Sequence, residues 1–196
     1  QKMPCVLFLD EFDVVAKLRD DKNELGELKR VVNSLIQNID SFSDDSILIA
    51  ATNHQELLDP AIWRRFTNVV TLEKPQKDEI HQLLHIILDG KSTNFLSIPK
   101  KLDYIEDALI GLSHSDIKTI IFNAMRGVIL TNRDCLTNCD ILKAIYFHKN
   151  HAIDNEEELI KFLMENGATH KEINESMKIP LRKIQGISRS LDRKEM

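Results

Sequence analysis

A short apolar run that ends in two adjacent carboxylates constrains this chain more than any other feature. Residues 6–9 read Val-Leu-Phe-Leu, and Asp10 and Glu11 follow directly. Such a run is typical of a strand buried on both faces of a parallel sheet. Ligands bind beyond the carboxyl ends of these strands, where both carboxylates would lie. Because unpaired acids at the edge of a core are costly, the placement favours a cation or substrate site, with helix capping as the alternative.

The composition is that of an ordinary globular protein. The 196 residues are 42% hydrophobic and 29% charged, which excludes a mainly disordered chain and allows one or two domains with real cores. The formal net charge of -5 gives no overall nucleic-acid signature, although it permits a local basic face. We see no signal peptide or membrane segment in the sequence. Cys5, Cys135 and Cys139 lack the spacing of a disulfide framework, so we expect a reducing, cytoplasmic location.

Strand and helix patterns alternate in the first part of the chain. Apolar spacing over residues 28–39 predicts a helix, and the charged stretch 17–29 before it indicates an exposed loop. Residues 47–51 predict a second buried strand, and a third strand is expected near residues 69–72. Strand–helix–strand order with a right-handed crossover predicts an α/β fold with a parallel sheet.

After residue 74 the pattern becomes wholly helical. Ser113 and Thr137 each begin a segment with the capping-box form that starts a helix. We expect helices over residues 78–88, 103–112, 115–130 and about 140–149. The predicted domains are a core over residues 1–73, a helical lid over 74–150 and a third unit over 151–196.

The third unit has the spacing of a helix-turn-helix. Thr169 starts one helix with Glu172 as its capping partner, residues 178–180 form the turn, and a second helix follows. A basic face on that second helix could meet the phosphates and base edges of DNA. A solvated basic helix in a small protein-binding or packing bundle explains the same charges equally well. The basic residues are Arg182, Lys183, Arg189, Arg193 and Lys194.

Several ordered segments together resemble the AAA family of ATPases, from Val6 to about Arg126. VLFLDEFD looks like a Walker B strand, and ELKRVVNSLIQNID is similar to the helix after it. ILIAATNH looks like the strand with the sensor-1 asparagine, LDPAIWRRF like the arginine-finger segment, and LSHSDIKTIIFNAM like the lid segment that touches adenine. The resemblance implies the second half of a P-loop NTPase-type parallel sheet with flanking helices, followed by an all-α lid and a small helical C-terminal unit.

The resemblance also implies a role for each matching residue in Mg²⁺-dependent ATP hydrolysis. Asp10 would hold Mg²⁺ through water, and Glu11 would polarise the attacking water. Asn53 would contact the γ-phosphate and that water, with an Asx-turn or helix cap as the alternative. Arg64 and Arg65 would reach the nucleotide of a neighbouring subunit in a ring, usually a hexamer. We expect one of the two arginines to pair with a local carboxylate instead.

Two further segments match the family less closely. His114 and Ser115 fall where the lid contacts adenine, but the family commonly has glycine at the position of His114. The loop from Arg19 to Glu27 falls where the family places its second pore loop, and a solvated connection fits it equally well.

The sequence holds no phosphate-binding GxxxxGK[ST] motif. Residues 90–93 imitate its end, but they follow a predicted helix, and His85 stands in place of the first glycine. Because the family needs the lysine and amides of that loop, we expect an N-terminally truncated half of an ATPase module with little turnover alone. The whole protein would remodel an unknown macromolecule. The alternative is a non-catalytic binding or regulatory protein that uses the tail to bind DNA or protein.

Residues 81–85, His-Gln-Leu-Leu-His, imitate the HExxH zinc motif. Gln82 lacks the carboxylate that acts as the base in that motif, and the sequence suggests no third ligand. We therefore interpret the segment as an amphipathic lid helix with polar histidines.

Overall fold

The computed structural model describes residues 4–16, 25–42, 45–150 and 155–192. These fall into two compact units, unit 1 over residues 1–71 and unit 2 over residues 72–196. Unit 1 contains a small parallel sheet with flanking helices, whereas the described part of unit 2 is helical. Among the described residues, no helix combines the length and apolar character needed to cross a bilayer.

Unit 1 confirms the predicted α/β class. Its two strands pair in parallel, with Val6 opposite Ile47 and Leu9 opposite Ala50. The connection between them includes a 16-residue helix, as expected for a parallel crossover. The elements are β1 (Val6–Leu9), α1 (Asp13–Ala16), α2 (Leu25–Asp40), β2 (Ile47–Ala50), a 3₁₀ turn (Gln55–Leu57) and α3 (Pro60–Trp63).

Helix α2 begins before the predicted helix, so the expected loop was too long. Residues 25–29 were predicted as part of an exposed loop, but they form the first turns of α2. Apolar residues later in the helix supply the packing that stabilises it, and this outweighs the weak helix propensity of Gly26. Of the predicted pore loop, residues 19–24 lie outside the described residues.

The prediction that both strands are buried on both faces is wrong for the described chain. Val6, Phe8 and Ile47 are 64%, 56% and 59% exposed. Leu9 and Ala50 are half-buried and pack against the cluster of Phe12, Leu58 and Ile62, against which apolar residues of α2 also pack. An apolar strand is buried only where a second layer covers its other face, and the described residues provide no such layer.

The third predicted strand does not form. Residues 69–72 have no regular secondary structure, and Val70 and Leu72 are 79% and 92% exposed. A strand requires a neighbour for its backbone hydrogen bonds, and the sheet in the described residues contains β1 and β2 alone. The apolar pattern of residues 69–72 therefore shows that the segment could form a strand, but in the described residues it pairs with no other strand.

Unit 2 confirms the predicted succession of helices. The fifth helix begins at Pro99 rather than at residue 103, because proline fits the first helical position, where no amide donor is needed. The helices are α4 (Lys77–Ile87), α5 (Pro99–Leu109), α6 (His114–Leu130), α7 (Asn138–Asn150), α8 (Glu156–Glu165), α9 (His170–Met177) and α10 (Leu181–Asp192).

Capping boxes fix the starts of α6, α7 and α9. Ser113 and Asp116 exchange hydrogen bonds at the start of α6, and Thr169 and Glu172 do so at the start of α9. Thr137 caps α7 in the same way, since its Oγ1 accepts from the Asp140 amide while its own amide donates to the carboxylate. Each pair satisfies amides that the first helical turn leaves free.

The predicted lid and tail share one hydrophobic core. Ile173 and Ile184 of the tail are fully buried in the same cluster as Ile105 and Ile121 of the lid. Lys101 Nζ of α5 also donates to Glu172 Oε1 of α9 at 2.5 Å. Residue 150 is therefore not a boundary in packing, and separate roles for lid and tail stay a prediction.

Candidate functional site

Polar residues follow both strands at one edge of the sheet. Two backbone hydrogen bonds continue the pairing past the strand ends: Ala51 N donates to Leu9 O at 2.8 Å, and Phe12 N donates to Ala51 O at 2.9 Å. Asp10 and Glu11 therefore leave β1 at the same edge at which Thr52 and Asn53 leave β2. The structure thus brings the three predicted residues Asp10, Glu11 and Asn53 to one edge.

Asp10 offers carboxylate oxygen to solvent at this edge. Its side chain is exposed, and its Oδ1 accepts a hydrogen bond from the Glu11 amide at 2.9 Å. No described residue donates to its other oxygen, which leaves that oxygen free for a hydrated cation. Mg²⁺ commonly uses one or two carboxylates and completes its shell with water and phosphate oxygens. Asp10 fits that role, and the described residues contain no cluster of three potential metal ligands.

Glu11 has a backbone conformation that is rare for a residue with a side chain. Its φ is +49°, in the left-handed region, which costs about 1–2 kcal/mol for an L-residue. The bend lets Phe12 enter the core, where it is 3% exposed, while Glu11 stays exposed. Strained residues of this kind persist only where the surrounding fold holds them in place, and they are concentrated at functional sites.

A hydrogen-bonded turn carries Asn53. Thr52 Oγ1 donates to Asp13 Oδ1 at 2.6 Å and accepts from the His54 amide at 2.9 Å. The bond between Thr52 and Asp13 joins the segments after β1 and β2. Sequence reasoning missed it because the two residues are 39 positions apart. Asn53 is exposed, and no described residue hydrogen-bonds its side chain. In this structure it makes neither an Asx-turn nor a helix cap.

The two arginines after α3 have different surroundings. Arg65 donates Nε and Nη2 to both carboxylate oxygens of Asp40, at 2.7 and 2.9 Å, and Nη1 to the Ala61 carbonyl at 2.6 Å. The hydrogen bonds from Arg65 hold the pKa of Asp40 below its ordinary value. Arg64 is exposed and has no partner among the described residues. Arg65 is therefore the arginine that pairs locally, which the sequence left open.

The predicted adenine contacts lie in unit 2. His114 is the first residue of α6 and Ser115 the second, and both are exposed. The cap of this helix is Ser113, whose hydroxyl accepts from the Asp116 amide at 3.1 Å. His114 and Ser115 therefore have no capping duty, and their role toward adenine stays a prediction.

The tail has the predicted helix–turn–helix order of elements. Lys178 ends α9 with a left-handed φ of +56°, and α10 follows at Leu181. Arg182 and Arg189 of α10 are exposed, but Lys183 forms an ion pair with Glu156 of α8. Arg193 and Lys194 lie outside the described residues. DNA binding by the tail stays a prediction.

Comparison with known proteins gives the class of this protein. Residues 1–74 match the family described as "ATPase family associated with various cellular activities (AAA)". Similarity to relatives from this class extends over about three quarters of the chain. The match confirms the resemblance to the AAA family that the motifs predicted.

Its relatives include proteins of different named activities. An uncharacterized AAA family ATPase, y4kL of Sinorhizobium fredii, is 38% identical over 147 residues, which are 74% of this chain and 42% of the relative. The proteasome-activating nucleotidase of Methanopyrus kandleri is 31% identical over 153 residues, 74% of this chain and 34% of that protein. The chloroplastic ATP-dependent zinc metalloprotease FTSH 7 of Arabidopsis thaliana is 30% identical over 152 residues, 74% and 19% respectively. The chain spans less than half the length of each.

A solved structure supports the fold. A chain in the structure of the E. coli MS115-1 HORMA:CdnC:Trip13 complex matches with a TM-score of 0.60 and 23% identity. The match covers 72% of this chain and 48% of that chain. At this identity the likeness shows the fold and says nothing about substrates.

Proposed function

We propose that this chain is the second half of an AAA ATPase module whose ATP hydrolysis drives the remodelling of a macromolecular partner. The observation that carries the proposal is the meeting of Asp10, Glu11 and Asn53 at the carboxyl edge of two parallel strands. Family membership supports ATP as the substrate. The relatives named as a proteasome-activating nucleotidase and an ATP-dependent protease support macromolecular partners, whose identity they do not define.

In this proposal the residues at the sheet edge bind the metal ion and the attacking water. Asp10 would hold a hydrated Mg²⁺, and the ion would neutralise charge on the phosphates. Glu11 accepts a proton from the attacking water, and Asn53 both donates to the γ-phosphate and accepts from that water. The strained backbone of Glu11 supports this role, since strained residues are concentrated at functional sites.

Arg64 is the residue we assign to the nucleotide of a neighbouring subunit. A finger must have its guanidinium free to spread over phosphoryl oxygens, and Arg64 is exposed without a described partner. The guanidinium of Arg65 is already used by Asp40 and Ala61, so Arg65 acts as a positioning residue that anchors the segment. His114 and Ser115 complete the proposed contacts at adenine.

The first experiment tests whether the chain alone hydrolyses ATP. The 196-residue chain alone, purified without tag, should release no phosphate from Mg²⁺-ATP above a buffer control. The reason is that it lacks the GxxxxGK[ST] loop that holds the phosphates. Robust Mg²⁺-dependent turnover by the isolated chain would contradict the half-module proposal.

The second experiment tests the catalytic residues in a longer protein that supplies the phosphate-binding loop. Glu11→Gln should abolish hydrolysis while ATP binding persists, because glutamine keeps the size of the side chain but cannot take the proton. Arg64→Ala should lower kcat by about 10³-fold or more. Arg30→Ala, which removes an exposed arginine from α2, is the matched control and should leave kcat unchanged.

Mixed rings decide whether Arg64 acts on a neighbour. Subunits with Glu11→Gln retain Arg64, and subunits with Arg64→Ala retain Glu11, so a mixture contains interfaces with both intact residues. The mixture should therefore hydrolyse ATP faster than either variant alone. If mixing restores nothing while both variants still assemble, the assignment of Arg64 to a neighbouring site is wrong.

A further inference from the structure

Two neighbouring histidines lie on α4, and one of them contacts a buried carboxylate on α5. His81 and His85 are one helical turn apart, both are exposed, and their ring centroids are 4.6 Å from each other. His81 Nδ1 lies 2.7 Å from Glu106 Oε1. Glu106 is 6% exposed, which is unusual for a carboxylate and requires a partner. His81 supplies that partner.

The hydrogen bond fixes which nitrogen of His81 carries the proton. An ionised carboxylate only accepts hydrogen bonds, so a neutral His81 must hold its proton on Nδ1 to make the bond. Its Nε2 then carries a lone pair and is available as a ligand. A histidine that binds a metal typically donates its other ring N–H to a carboxylate in this way.

The spacing of the rings suits one ion. Two imidazole nitrogens at about 2.0–2.1 Å from a tetrahedral Zn²⁺ are about 3.3 Å apart. The ring centroids are 4.6 Å apart, and rotation of the His85 side chain can bring the nitrogens to that separation while His81 keeps its bond to Glu106. Histidines at positions i and i+4 present their nitrogens on one helix face, which is the arrangement that helical zinc sites use.

The charges near these histidines also favour a cation. The nearest described cation on α4, Lys77, is bound by two carboxylates of α5, Asp103 and Asp107, each at 2.5 Å. Glu106 adds a third carboxylate on α5, and Asp78 lies one turn before His81. The acids therefore outnumber the lysine in this region.

We propose that His81 and His85 bind Zn²⁺ at the surface of unit 2, with Glu106 as a positioning residue that orients His81. The described residues contain no third protein ligand in reach, so water completes the coordination shell. The sequence alone suggested no ligand role for these two histidines. The contact of His81 with Glu106 could not be read from the sequence, and it is this contact that changes the interpretation. The proposal is independent of ATP hydrolysis.

Calorimetric titration of ZnCl₂ into the tag-free chain tests the site. The unaltered chain should bind one Zn²⁺ at this site. His81→Asn and His85→Asn should each weaken that binding at least tenfold, because a single imidazole remains. Glu106→Gln should weaken it about 10–100-fold, as loss of a carboxylate that orients a ligand does elsewhere. His170→Asn, which removes a histidine at the start of α9, is the matched control and should change nothing.

The thermal midpoint provides a readout that separates binding from folding. His85 makes no bond to Glu106, so His85→Asn should leave the midpoint without metal unchanged and abolish its rise on addition of Zn²⁺. The proposal is overturned if the unaltered chain binds no Zn²⁺, or if the two histidine variants bind it as tightly as the unaltered chain. Unchanged affinity in Glu106→Gln would overturn the orienting role of Glu106.

Discussion

Unit 1 and unit 2 bury their apolar residues to very different degrees. In unit 2 the helices pack around a continuous core in which residues such as Ile105, Leu109 and Ile121 are fully buried. In unit 1 the described residues form a small cluster around Phe12 and Ile62, and β1 and β2 expose much of their apolar surface. A helix needs one covered face, whereas a central strand needs two. The same kind of apolar sequence therefore gives a closed core in one unit and an open sheet in the other.

The largest effect should come from removing a side chain from the core of unit 2. Ile121→Ala should lower the free energy of unfolding by about 2–5 kcal/mol, because the residue is 0% exposed and its removal leaves a cavity. Ile49→Ala removes the same atoms from β2, where the side chain is 45% exposed, and should cost less than about 1 kcal/mol. Urea denaturation of both variants measures the difference.

Two spectroscopic probes assign each loss to its unit. Trp63 is the single tryptophan and lies in unit 1, so its fluorescence follows that unit, while far-UV circular dichroism mainly follows the helices of unit 2. Ile121→Ala should move the dichroism transition to lower urea. Equal losses in the two variants would mean that β2 is covered in solution, and the contrast between the units would fail.

The sequence was sufficient where the signal was local. Capping boxes at Ser113 and Thr169 lie within four residues, so the starts of α6 and α9 could be predicted. The parallel pairing of β1 and β2 also followed from two apolar runs separated by one helix pattern. Asp10 and Glu11 could be placed at the carboxyl edge of the sheet because they directly follow an apolar run typical of a parallel strand.

The sequence was insufficient where a residue's partner is distant in the chain. Asp40 and Arg65 are 25 residues apart, and so are His81 and Glu106, and no local pattern links either pair. The exposure of β1 and the missing third strand have a related cause. An apolar run shows that a segment can be buried, but the layers that would bury it lie elsewhere in the sequence.

A glycine between α8 and α9 should have the next largest effect. Gly167 has a φ of +79°, and a Cβ there would overlap the ring of Tyr104 in α5. Gly167→Ala should therefore lower the free energy of unfolding of unit 2 by about 1–2 kcal/mol for the backbone conformation alone, and by more for the overlap. Thermal unfolding followed by circular dichroism measures the loss.

Gly90→Ala is the matched control for this substitution. Gly90 also has a positive φ, +67°, but nothing lies within 4 Å of a Cβ placed there. The control should show the backbone cost without the overlap, so the difference between the variants reports how closely the tail packs on the lid. Equal losses would indicate that Tyr104 moves aside freely and that the tail is held less tightly than the shared core suggests.

The smallest expected effect is on the pH dependence of stability, and it comes from two aspartate–arginine pairs, one in each unit. Asp140 is 6% exposed and accepts from Arg133 at 2.9 and 3.0 Å, whereas Asp40 is 51% exposed and accepts from Arg65. Burial alone would raise the pKa of Asp140, but hydrogen bonds from Arg133 and Thr137 outweigh it and leave the pKa below its ordinary value. A depressed folded pKa means that the stabilisation is complete above the unfolded pKa of about 3.9 and is lost as pH falls through the folded value.

Asp140→Asn should lower the free energy of unfolding by about 1–3 kcal/mol at neutral pH and flatten the loss of stability below about pH 4. Asp40→Asn should change the acid limb much less, because solvent screens its pair. Dichroism-monitored unfolding between pH 2 and pH 7 (a range that spans the unfolded value of about 3.9) tests both variants. An acid limb that Asp140→Asn leaves as steep as before would show that burial gives this pair no advantage over its exposed counterpart.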